Sequence, residues 1–190
     1  AVGAAPRSLA IAPDGVVWVT NKQGASISVI SAATLAVTRT IALPRGSQPF
    51  GVAMARSSGS ALVALEGTGQ LLKISSSGFN TTGTLAVGAN ARHVAVAADG
   101  STAYVTRFIT PPLAGEGTAS VNTASGGGQV VVVNSNTMST VRTIVLAHSN
   151  LPDAENQGRG IPNYLGAAAI SPDGTQAFVP SKMDNIARGT

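Results

Sequence analysis

Short apolar runs, four to eight residues long and rich in Val, Ile and Thr, alternate along the chain with clusters of Gly, Pro, Asp and Ser. Runs of that length bounded by turn formers predict strands rather than helices. A first strand covers Ser8 to Ala12, Gly51 to Ala55, His93 to Ala97 and Ala167 to Ser171. Each ends in a turn, at Pro13-Asp14-Gly15, Ser57-Ser58-Gly59, Ala98-Asp99-Gly100 or Pro172-Asp173-Gly174. Asp-Gly favours a hairpin because Gly accepts positive φ and Asp bonds its own backbone. Second strands follow as VVWVTN, ALVALE, TAYVTR and QAFVPS. Third strands are expected at Ser26 to Ser31, Gln70 to Ser75 and Gln129 to Asn134, and fourth strands at Ala36 to Leu43, Thr81 to Gly88 and Thr140 to Ala147. Many of these runs lack apolar and polar alternation, as strands do when their sheet is covered on both faces. In the first strands Leu9, Ile11, Val52, Met54, Val94 and Val96 share one phase, while Gly, Ala and Ser dominate the other, as a crowded centre requires.

The pattern repeats. AVGAAPRSLAIA at 1 to 12 matches AVGANARHVAVA at 86 to 97 in seven of twelve positions, 85 residues apart. Half that distance, about 42 or 43 residues, is the period of a four-stranded propeller blade. Intermediate copies begin at Pro49 and Leu165. The expected fold is all-β, a partial β-propeller of three complete four-stranded antiparallel blades, at approximately 4–46, 47–89 and 90–150, plus half of a fourth at 164–190. Both termini fall inside a repeat, so the chain reads as a single fragment of a larger ring.

Composition narrows the functional classes. Hydrophobic residues make up 44% of the 190 and charged ones 11%, well under the roughly 25% typical of soluble domains, which excludes disorder driven by charge. The net charge of +4 comes from three Lys (Lys22, Lys73, Lys182) and nine Arg that never form a run. No nucleic-acid partner is expected without a basic cluster interleaved with aromatics. The absence of Cys excludes disulfides, thiolate metal sites and covalent haem attachment within these residues. No apolar stretch approaches the roughly 20 residues of a membrane helix.

In an up-and-down blade the loop from strand two to strand three and the link to the next blade leave from one end. The third unit carries long insertions at both places, Phe108 to Gly128 and His148 to Asn163. Loops this long favour a binding surface, and they hold Glu116, His148, Asp153, Glu155 and Arg159, with Tyr164 just beyond. His148, Asp153 and Glu155 are either solvated surface groups or ligands of a cation, at a spacing that fits no standard metal motif. Arg7 and Arg92 occupy equivalent positions at the same end, with Phe50 and Gly166 in the other two repeats, and could hold an anion or a partner's carboxylate bidentately. Arg107, closing the second strand of the third unit, joins this binding set. His93 is a large polar group at a small-residue position, which makes it either a packing histidine or a group for ligation or proton handling. No catalytic set emerges: there is no GxSxG elbow, and Gly126-Gly127-Gly128 precedes a strand.

The segments VTN at 19–21 and YVTR at 104–107, following PDG-type turns, resemble the YVTN family of β-propeller repeats. The copies depart from the family word: Trp18 replaces Tyr, the second unit has VALE and the fourth FVPS. RFITPPLAGEGTA at 107–119 and ENQGRGIPNYLGAAAISPDGTQAFVPSKMDNIARG at 155–189 are similar to a bacterial secreted subgroup. In that subgroup, the resemblance implies, the propeller continues into a c-type cytochrome module with a CxxCH motif, and the protein is exported to the periplasm or cell surface. That module is absent here, so no cofactor is expected in this chain, and haem c would belong to a downstream part. Two functions follow. One is a non-catalytic docking scaffold that uses the insertion face, with the rest of the propeller, a neighbouring domain or another protein as partner. The other is the propeller portion of a haem- or quinone-dependent oxidoreductase whose redox centre lies elsewhere.

Overall fold

The computed structural model describes residues 1–110, 127–149, 151–152 and 160–184. The first repeat forms β1 (Pro6–Ile11), β2 (Val17–Asn21), β3 (Ser26–Ile30) and β4 (Val37–Ala42). The second forms β5 (Pro49–Ala55), β6 (Ser60–Leu65), β7 (Gln70–Ser75) and β8 (Thr81–Ala86). The third forms β9 (Ala91–Val96), β10 (Thr102–Arg107), β11 (Gln129–Asn134) and β12 (Ser139–Val145). Each set is an antiparallel sheet with its strands in chain order. The first strands β1, β5 and β9 lie against one another across the three sheets, and the fourth strands form the outer rims. Stacked four-stranded sheets with inner strands in mutual contact are consistent with propeller blades.

The middle sheet shows why alternation is missing. All of Ser60–Leu65 is buried. Ala61, Val63 and Leu65 pack with Trp18, Ile27 and Val29 of the first sheet, while Leu62 and Ala64 pack with Val94, Val105 and Val131 of the third. Successive side chains point to opposite faces, and both faces are dry. The first sheet differs: Leu9 and Ile11, in phase with buried Val52 and Val94, are about 60% exposed because no described sheet covers that face.

At the centre, β5 and β9 approach backbone to backbone. A Cβ on Gly51 would lie 2.7 Å from the Arg92 carbonyl oxygen and 2.8 Å from the His93 Cα, which accounts for the small-residue phase. Two inter-sheet stitches use the Thr of the VT words. Thr20 Oγ1 donates to the Phe50 carbonyl at 2.5 Å, and Thr106 Oγ1 to the Gly166 carbonyl at 2.9 Å. The Asn of VTN braces its own hairpin, with Asn21 Nδ2 donating to Ser26 and Ser28 hydroxyls. In the third repeat Arg107 occupies the Asn21 position and reaches the Gln129 amide oxygen in the same role, across the root of the insertion.

The Asp-Gly turns form as expected. Asp14, Asp99 and Asp173 each accept backbone N–H bonds two residues on, and the paired glycines have φ of 83°, 72° and 71°. Ser57-Ser58-Gly59 instead closes on a short 3-10 turn over Arg56–Ser58. After β12 the chain forms β13 (Ile161–Asn163), β14 (Ala169–Ile170), β15 (Ala177–Phe178) and β16 (Lys182–Asp184). β14 pairs with β15, and β16 turns back onto β13. The fourth-unit strands are thus shorter than the repeat pattern predicts. Pro180 stands where Thr20 and Thr106 stand in their repeats and has no N–H for a ladder.

Candidate functional site

The first strands β1, β5 and β9 each open with a bulge. The register slips between Pro6 and Leu9, between Pro49 and Val52, and between His93 and Ala91, and the residue before the bulge has positive φ at Ala5 (53°), Gln48 (49°) and Asn90 (59°). Tyr164 (51°) is the fourth of this series. An extra residue re-aims side chains near the end of a strand. Here it places Arg7, Phe50 and Arg92 at the end where the second strands finish.

There they meet Lys22, Glu66 and Phe108, which directly follow β2, β6 and β10, while Lys182 opens β16. Glu66 accepts from two sides. Lys22 Nζ reaches Oε2 at 2.6 Å, and Arg92 grips Oε1 through Nε at 2.9 Å and through Nη2. One carboxylate thereby clamps the first sheet to the third across the second. The Glu66 side chain is 9% exposed. Burial alone would raise its pKa, but the hydrogen bonds and charges of Lys22 and Arg92 outweigh that and hold it below the ordinary carboxylate value.

Aromatic rings fill the spaces between the cations. Lys22 lies over Phe50 at 5.6 Å, and Arg92 lies over Phe50 at 4.8 Å and over Phe108 at 3.2 Å. Phe108 meets Tyr164 edge-on at 5.2 Å, and Lys182 covers the other ring at 4.9 Å. A row of cations and aromatic rings therefore runs along one end of the three sheets and on to Tyr164 and Lys182. His93 belongs to its inner side, edge-on to Phe50 at 5.1 Å. Burial, followed by the Arg92 charge, lowers the His93 pKa, so the ring is neutral near pH 7.

The two insertions root beside this row. The Thr110 N–H donates to Asn163 Oδ1, the Gly128 N–H to the Pro162 carbonyl, and the Leu165 N–H to the Phe108 carbonyl. Their described ends therefore share one end of the sheets. Glu116, Asp153, Glu155 and Arg159 lie outside the described residues. His148 is half-buried and its Nδ1 has no partner among the described residues. No group of three His, Asp or Glu that could hold a metal ion occurs among the described residues.

Of the expected set, the row unites Arg92, His93 and Tyr164. Arg107 stands apart in function: its Nε donates to the Ala89 carbonyl at 2.8 Å, Gly88 packs on its guanidinium, and burial lowers its pKa. It fastens loops together. Arg7 lies at the same end without any ion-pair partner among the described residues, lining a cleft of about 520 Å³ with Lys22, Gln23, Arg45, Gly46 and Gln48. Sequence reasoning aligned Arg7, Phe50, Arg92 and Gly166, but it passed over Lys22, Glu66 and Phe108. The structure puts these three at one repeat position, directly after β2, β6 and β10, whereas the sequence pattern ended the second strand of the second unit at Glu66 itself.

No family model matches the chain, and no curated protein does. Among solved structures it is similar to hydrazine synthase of Kuenenia stuttgartiensis, with a TM-score of 0.67 and 20% identity. The match covers 91% of this chain and 41% of that one, so the chain spans less than half the length of that neighbour. The likeness is one of fold, β-propeller-like and all-β. No helix among the described residues is long and apolar enough to cross a membrane.

Proposed function

We propose that the chain is a non-catalytic docking scaffold, a YVTN-type β-propeller segment of three blades and the first strands of a fourth, whose contact surface is the end that carries both insertions. The observation behind this reading is the row of cations and rings from Lys22 through Phe50, Arg92, Phe108 and Tyr164 to Lys182, with both insertions rooted beside it. Arg, Tyr and Phe are the residue types that anchor protein interfaces. Fixed strands and a shared carboxylate hold them in place, so little ordering entropy is lost on contact. In the subgroup that the sequence resembles, such a protein works in the periplasm or at the cell surface.

Lysine reactivity tests the proposal. Lys22 and Lys182 belong to the insertion end, whereas Lys73 donates to the Ser135 carbonyl near the hairpin end. In an extract of the source cell, acetylation of Lys22 and Lys182 should slow relative to the purified chain while that of Lys73 does not. Protection at Lys73 alone, or at none of the three, would overturn the assignment of the surface.

A further inference from the structure

We infer that the cleft between Arg7 and Arg45 is a carboxylate-binding site that takes an acidic segment of a protein partner. The inference rests on the docking reading above and supplies the chemistry of one part of that surface. Arg92 shows what an arginine at this repeat position takes. Its Nε and Nη2 both bind Glu66, which comes from the end of the preceding sheet's second strand. Arg7 is the same position one full double repeat earlier, and no described residue supplies its carboxylate.

The cleft is positively charged and held by backbone geometry. Pro44 to Ser47 forms a turn closed by the Ser47 N–H on the Pro44 carbonyl, with Gly46 at φ 79° in its third position, as a type II turn requires. The turn is tied down because the Gly67 N–H donates to the Ser47 carbonyl and the Glu66 N–H to the Gln48 carbonyl. A Cβ on Gly67 would collide with the Gly46 carbonyl oxygen. Arg45 thus projects from a fixed turn and Arg7 from β1. Neither has an ion-pair partner among the described residues, and both are exposed. Lys22 contributes a third cation whose charge Glu66 shares with Arg92. The amides of Gln23 and Gln48 complete a polar lining. The residues that line the cleft include three cations, Arg7, Lys22 and Arg45, and no carboxylate, and the nearby Glu66 is already engaged by Lys22 and Arg92. Excess positive charge with two unengaged guanidiniums calls for carboxylate oxygens, which a guanidinium binds through paired N–H groups.

The test uses the full chain and a fluorescent tetraglutamate peptide followed by anisotropy, with tetraglutamine and inorganic phosphate as comparison arms at matched ionic strength. The expected result is saturable binding of tetraglutamate that weakens with salt. Arg7→Gln and Arg45→Gln should each raise the Kd about tenfold. Arg142→Gln, the same charge change on the exposed outer strand β12, should leave it unchanged. Circular dichroism confirms the fold of each variant. The inference is overturned by absence of saturable binding, by equal losses in Arg142→Gln and Arg7→Gln, or by phosphate binding more tightly than the peptide. Because the titration uses purified chain alone, it can fail while Lys22 and Lys182 remain protected in extract, which would sink the carboxylate site and leave the docking surface standing.

Discussion

Replacing Gly51 with alanine probes the backbone-to-backbone approach of β5 and β9. The added Cβ would meet the Arg92 carbonyl oxygen at 2.7 Å, the His93 Cα at 2.8 Å and the Val94 nitrogen at 2.9 Å. The nearest contact falls about 0.7 Å short of the 3.4 Å where ordinary van der Waals distances begin. All three obstacles are backbone, so no rotamer change relieves them, and β5 and β9 must separate. That separation loosens the Val94, Ala91, Leu62 and Ala64 packing and strains the Arg92 grip on Glu66. Overpacking of this kind costs about 1–3 kcal/mol, or about 2–12 °C in melting temperature for a domain of this size. The assay is urea unfolding followed by Trp18, the chain's single tryptophan, which is 1% exposed and stacks on Phe79 at 5.8 Å between the first two sheets. An unchanged m-value with a lowered midpoint is the expected signature. A Gly51→Ala protein within about 0.3 kcal/mol of wild type would refute the radial packing of first strands on which the site geometry depends.

Removing the stitch donors should also destabilise. Thr20→Val strips the Phe50 carbonyl of its donor and the Ser8 N–H of its acceptor, a loss of about 1–3 kcal/mol by denaturant unfolding. Thr20→Ser should restore most of it, and an equal loss in both variants would remove the hydrogen bond as the cause. Leu35 sits at φ 54° with 83% of its surface exposed, so Leu35→Asn should stabilise by about 0.5–1 kcal/mol through relief of left-handed strain; any decrease in the midpoint contradicts that. Acidification should lower stability in two stages. His93 has a depressed folded pKa, so the unfolded chain binds its proton first and stability falls as pH drops below about 6.5. Glu66, likewise depressed, contributes stability above about 4.5 that is lost below it, with Asp99 and Asp173 adding to that lower stage. His93→Phe should flatten the upper stage in a pH series of urea melts, and Glu66→Gln should reduce the lower one. An upper stage that survives His93→Phe would assign it elsewhere.

The amino-acid sequence by itself determined the strand cadence, the Asp-Gly turns, the two-sided burial of the middle sheet and the common end of the two insertions. All of these are local or periodic, because alternation, turn chemistry and repeat spacing act within a few residues or recur at a fixed interval. It also exposed Arg7 and Arg92 as equivalent, since register within a repeat is legible from aligned copies. Tertiary structure alone decided that the two arginines have different fates. Arg92 faces Glu66 of the preceding sheet, and Arg7 faces a cleft with Arg45. The bulges with positive φ at Ala5, Gln48 and Asn90 left no mark in residue type, because surrounding hydrogen bonds impose that conformation against intrinsic preference. Residues of one repeat position become a clamp, a ring stack or an unpaired charge according to what the next sheet sets against them. That juxtaposition spans 26 residues for Arg92 and Glu66 and 44 for Lys22 and Glu66, distances over which only the packed fold can bring charges together.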